Sequence, residues 1–228
     1  MILEANLKKS TLALTALALA LAAGLSACGG GSSSYTIGGV VRGLQYGPLI
    51  LVTNGMEVAI QPQKDAQGNF QDVNYTFPNQ LEYGEPYNVT LKQIGTDAAG
   101  NPIYQYPPHQ ICQVSGQPGT STQDTAGRLS VINAAFDCAL VSNQISGTVT
   151  GLTAAGLVLV NGSSTEGRLE VPANATGFIF PQRVSYGQTY GVTVLAQPTG
   201  LTCTVSNGVG EMGDDPVTTI AVSCRSNT

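Results

Sequence analysis

Apolar residues follow two unlike patterns along this chain. From residue 12 to residue 25 they run with almost no polar interruption. Beyond residue 34 they come in short runs, alternating with polar positions and broken by Gly, Asn-Gly or Pro. Alternation sends every second side chain to one face, the period of a half-buried strand. The runs are rich in Val, Ile, Thr and Tyr, which suit a pleated surface. In the second half they predict seven strands, at 144–150, 157–160, 168–171, 177–180, 189–195, 202–205 and 217–224. No stretch past residue 30 carries the 3.6-residue period of an amphipathic helix.

The same order of runs occurs twice. Ile37-Gly38-Gly39-Val40-Val41-Arg42-Gly43-Leu44 matches Ile145-Ser146-Gly147-Thr148-Val149-Thr150-Gly151-Leu152. Leu49-Ile50-Leu51-Val52 matches Leu157-Val158-Leu159-Val160, Phe77-Pro78 matches Phe180-Pro181, and Tyr83-Gly84 matches Tyr186-Gly187. Cys112 and Cys138 correspond to Cys203 and Cys224. The repeat divides the chain into modules at 35–140 and 144–226, with extra residues in the first copy expected mainly at 95–110 and 116–128. Seven short strands in roughly 80–100 residues point to an all-β chain of two tandem Ig-like or prealbumin-like sandwiches. The order Gly-x-Val, Leu-Val-Leu, Tyr-Gly-x-x-Tyr-x-Val-x-Val resembles repeats of proteobacterial surface and secreted lipoproteins. The resemblance implies a sandwich architecture and an exported location, and hardly any chemistry.

Five cysteines are present. The repeat favours one bridge per module, Cys112 with Cys138 and Cys203 with Cys224, and strand phase agrees. Cys203 shares a face with Val205, as Cys224 does with Val222 and Ile220, so an antiparallel hairpin that joins the cysteines also pairs the valines. In the first copy the same register sets Val114 against Phe136. A bridge closing a loop of this size is worth ~3 kcal/mol. Free buried thiols and a zinc site are the alternatives; no Cys-x-x-Cys or histidine partner supports a metal, and no cofactor is expected.

The uninterrupted apolar run has its own meaning. Lys8 and Lys9 precede about 14 apolar positions, and Ser26-Ala27 follow, the three-part layout of a secretory signal peptide. A membrane span needs ~20 such residues. Leu25-Ser26-Ala27-Cys28 resembles the lipobox of bacterial lipoproteins, which implies cleavage after residue 27 and a diacylated Cys28. Gly29 in place of Asp implies transport to the outer membrane, with the domains facing the periplasm or the cell surface. Residues 28–34 then form the lipidated cysteine and a Gly/Ser tether, a composition that cannot bury apolar area. The whole chain counts 9 basic against 14 acidic residues, net −5. With no basic cluster beyond Lys8-Lys9, nucleic acid is excluded as a partner.

Little remains for chemistry. His109 is the single histidine; it follows Tyr104-Gln105-Tyr106-Pro107-Pro108 and reads as a plain loop residue. No Gly-x-Ser-x-Gly elbow accompanies it. Asp214-Asp215 with Glu211 lack the alternate spacing of a calcium loop and read as a polar hairpin tip. Glu166, Arg168 and Glu170 read as a solvated strand face. The expectation is a non-catalytic lipoprotein, a structural or interaction module whose partner is the membrane through its anchor. The alternative is capture of a protein, peptide or glycan through Tyr104, Tyr106 and His109, since tyrosines offer apolar area with hydrogen-bonding tips.

Overall fold

The computed structural model describes residues 33–162 and 167–227. The expected signal peptide, Cys28, most of the tether and Glu166 lie outside the described residues. The first half contains β1 (Ser34–Arg42), β2 (Leu49–Thr53), β3 (Met56–Ile60), β4 (Gln63–Lys64), β5 (Phe70–Gln71), β6 (Val73–Glu82) and β7 (Pro86–Asn88). It continues with β8 (Thr90–Leu91), β9 (Gln93–Thr96), β10 (Pro102–Tyr104), β11 (Gln110–Val114), β12 (Gln123–Thr125) and β13 (Phe136–Leu140). The second half holds β14 (Ser142–Thr150), β15 (Leu157–Asn161), β16 (Arg168–Val171) and β17 (Gly177–Ser185). It ends with β18 (Thr189–Ala196), β19 (Leu201–Ser206), β20 (Val209–Glu211) and β21 (Val217–Ser226).

These strands make two β-sandwiches of one topology. In the first, the sheet β6-β1-β13-β11 faces β3-β2-β8; in the second, β17-β14-β21-β19 faces β16-β15-β18-β20. Alternation builds each interior. Leu49, Leu51 and Thr53 of β2 point inward, as do Val73, Tyr75 and Phe77 of β6. The first core gathers Ile37, Leu51, Phe77 and Phe136, and a separate one gathers Ile145, Leu159, Phe180 and Ile220. The repeated glycines have a steric reason. At Gly43 and Gly151 φ is positive, and a β-carbon would strike the carbonyl of Cys138 or Cys224 on the neighbouring strand.

Both final hairpins carry the register expected from the cysteine phase. Cys112 lies opposite Cys138 with Val114 opposite Phe136, and Cys203 opposite Cys224 with Val205 opposite Val222. Disulfides join both cysteine pairs. The extra residues of the first copy fall differently from expectation. Segment 116–128 contains β12, which pairs with β7 as β20 pairs with β18 in the second copy. Its Ala126 is buried, so much of that segment belongs to the sandwich. The added material is chiefly two hairpins, β4–β5 and β9–β10.

Strand direction fixes what sits at each end. In the first sandwich β1 runs parallel to β13 and antiparallel to β6. The chain therefore enters at one end, shared with the β2–β3, β6–β7 and β11–β13 connections. It leaves at the other, shared with the β1–β2, β3–β6 and β8–β11 connections. The exit end of the first sandwich meets the entry end of the second.

Candidate functional site

Between the sandwiches only Val141 separates β13 from β14, and it is bonded on both sides. Its N–H donates to the His109 carbonyl at 2.8 Å, and its carbonyl accepts from the Tyr186 N–H at 2.8 Å. The His109 side chain completes the joint. Its ring lies flat on Tyr186, with centroids 3.7 Å apart and planes 8° from parallel. The edge of Tyr46 meets both rings, at 5.0 Å from His109 and 5.8 Å from Tyr186. Nδ1 of His109 faces both carboxylate oxygens of Asp214, at 2.8 and 3.0 Å.

Two buried amides hold these parts in place. Oε1 of Gln110 accepts the N–H groups of Gln45 and Tyr46, each at 2.8 Å, while its Nε2 donates to the Gly43 carbonyl. That clamps the β1–β2 loop and with it Tyr46. Across the joint, Nδ2 of Asn143 donates to the carbonyls of Gly213 and Asp214, which fixes the loop bearing the carboxylate. Arg183 donates to the Ser142 carbonyl beside it. His109 itself sits at φ +59°, a left-handed conformation costly for a residue with a β-carbon. The matching position of the second copy, one residue before β19, is Gly200 at φ +73°.

An ionised carboxylate only accepts hydrogen bonds, so the Nδ1 that faces Asp214 carries the proton. Desolvation raises the Tyr186 hydroxyl above its usual value of 10, and the nearby Tyr46, Asp214 and Glu211 push the same way. Among the described residues no hydroxyl or thiol is hydrogen-bonded to His109. The arrangement is suited to holding two bodies in one orientation, since its groups are occupied by one another.

The structure separates the three residues expected to act together. Tyr104 and Tyr106 line an open cleft of about 280 Å³ with Val89, Leu91, Val114 and Phe136, along the edge between β8 and β11. His109 is not part of that cleft; its ring is turned to the second sandwich. Asp214 lies on an exposed polar loop, as expected of Asp214-Asp215 with Glu211, but its carboxylate also faces His109 across the joint. Arg168 and Glu170 form an exposed ion pair at 2.9 Å on β16.

Sequence reading missed a second repeat. The two added hairpins turn on Asp65-Ala66-Gln67-Gly68-Asn69 and Asp97-Ala98-Ala99-Gly100-Asn101. In each, Oδ1 of the aspartate accepts the N–H groups two and four residues on, and Oδ2 accepts from the asparagine side chain. These bonds hold both carboxyls below their usual 3.8. The shared Asp-Ala-x-Gly-Asn string was the available signal.

Fold and joint together define a tandem β-sandwich chain with a fixed inter-domain contact. No family model matches it, and no curated protein does. Among solved structures it is similar to the major pilin protein T-13 of Streptococcus pyogenes. The identity is 11% and the TM-score 0.25, over 86% of this chain and 98% of that one. A likeness so slight has no bearing on role.

Proposed function

We propose that the chain is a non-catalytic, lipid-anchored module of the bacterial cell envelope, presenting two coupled sandwiches from the outer membrane. The joint is the observation that carries the reading. Every ring and charge in it is spent on joining the two bodies, and Val141 is bonded to each of them. A chain built for chemistry would leave its single histidine facing a substrate space. Leu25-Ser26-Ala27-Cys28 and the Gly/Ser segment after it support the anchor, and two disulfides suit an oxidising compartment. Labelled palmitate should enter the wild-type chain and not Cys28→Ala, which should fractionate as soluble periplasmic protein. Label retained by Cys28→Ala would refute the anchor.

A second reading has its own observation. The cleft lined by Tyr104 and Tyr106 opens beside β11, an edge strand of its sheet. A protein, peptide or glycan partner would dock there, with His109 serving the joint.

A further inference from the structure

The entry end of a sandwich is a docking surface in the second copy, and among the described residues the same end of the first copy is uncovered. Tyr186-Gly187 of the docked end corresponds to Tyr83-Gly84 of the uncovered one. In both, the glycine N–H donates across to the loop before the last strand, to Met212 in one and to Ala126 in the other. That registers Gly213 with Gly127 and Asp214 with Arg128. Tyr186 is covered by His109 and Tyr46, whereas Tyr83 is 72% exposed. The loop that carries Arg128 goes on to Leu129, 40% exposed, and Val131, 73% exposed, two apolar side chains left open among the described residues.

We infer that this end of the first sandwich, through Tyr83, Arg128, Leu129 and Val131, rests on the phospholipid surface in which Cys28 is anchored. The inference rests on the lipid-anchor reading above. Chain length supports it. The Tyr83 N–H donates to the Ser33 carbonyl, so the tether is fastened beside Tyr83 itself. From Cys28 to Ser33 the chain spans at most ~18 Å when fully extended. An 80-residue domain is roughly 30 Å across by its expected radius of gyration, so no folded domain fits between. A second copy of this chain is also a poor occupant. Its exposed exit end offers Ala154 and Gly200 where the joint uses Tyr46 and His109.

Chemistry supports the same occupant. Tyrosine and arginine at a headgroup surface place apolar stems inward and polar tips at the phosphates. Arg128 replaces the acidic residue of the docked end and is 74% exposed, with Asp124 at 3.6 Å as its protein partner. Glu82 and Glu85 lie on the same end, so a zwitterionic surface suits it better than a strongly anionic one.

The chain has no tryptophan, so a single introduced one is a clean depth probe. The full lipidated protein carrying Tyr83→Trp, and separately Val131→Trp, would be reconstituted in phosphatidylcholine vesicles with brominated acyl chains. Leu195→Trp, exposed on the second sandwich, is the reference. Quenching about twofold or more above the reference at both probes is expected for side chains seated at the acyl boundary. Equal quenching at all three positions, with the protein floating on the vesicles, overturns the seat and leaves the anchor standing. Protein that fails to float overturns both.

Discussion

Replacing Gln110 by leucine, the residue at the equivalent Leu201, tests how the joint is assembled. The substitution removes three hydrogen bonds of 2.8 Å and strands two backbone N–H groups and one carbonyl of the β1–β2 loop. A polar group left unpaired inside a protein costs ~1–3 kcal/mol. The loop lies at the exit end and regains some water, so the lower part of that range applies, about 4 kcal/mol in all. Burying leucine in place of the amide returns about 2 kcal/mol. The net loss is about 2 kcal/mol, or about 10 °C in the Tm of a domain near 100 residues. Thermal unfolding of the mature chain reads the global effect, and hydrogen exchange at the Gln45 and Tyr46 amides reads the local one. Both amides should lose protection. A variant that keeps its Tm within about 2 °C and keeps both amides protected would refute the clamp.

Two further outcomes follow from the geometry. His109→Gly relieves a left-handed backbone strain of about 1 kcal/mol while deleting the stack and the Asp214 contact. Each sandwich should therefore stay folded while their relative orientation loosens, seen as a broadened distance distribution between spin labels on the two bodies; an unchanged distribution would remove the joint's assigned role. The Asp65 and Asp97 carboxyls are held below 3.8, a depressed folded-state value, so their support for the hairpin turns is complete above the unfolded value and fades as pH falls through the folded one. Carbon-13 titration should place both midpoints below 3.8, and a midpoint at or above it contradicts the turn bonding.

The strands were legible where alternation ran for four residues or more. In the second copy Arg168–Val171 lies where its run placed it, and the cysteine phase yielded the register of the last hairpin. Three-residue strands escaped, because β12 and β20 are too short to display a period. The β17 strand runs on to Ser185 past its apolar stretch, since its pairing with β14 continues through Ser142. The joint was out of reach for another reason. Tyr46, His109, Tyr186 and Asp214 come from four separate loops, and only the directions of the strands bring them to one place. A trace was present nonetheless. Aligning Cys112 with Cys203 sets His109 against a glycine, a position where the backbone asks for φ > 0 and a β-carbon needs a reason.

Comparison of the two copies separates what holds a sandwich from what orders a pair. Inside, they are near equivalents. Leu49 and Leu51 stand where Leu157 and Leu159 do, and Phe77 where Phe180 does, all buried. Tyr75 takes the place of Phe178, and its hydroxyl donates to the Ala134 carbonyl at 2.5 Å. At the ends they diverge: Tyr46 against Ala154, His109 against Gly200, Gln110 against Leu201, Arg128 against Asp214. Each difference gives the exit end of the first copy a ring, a base or a clamp, and gives the entry end of the second the carboxylate that answers it. Reversed, the pair would set Ala154 and Gly200 against Tyr83 and Arg128, with no stack and no hydrogen bond from a histidine to a carboxylate. The sandwiches can therefore be joined rigidly in one order only, the order that leaves Tyr83, Arg128 and Val131 at the tethered end.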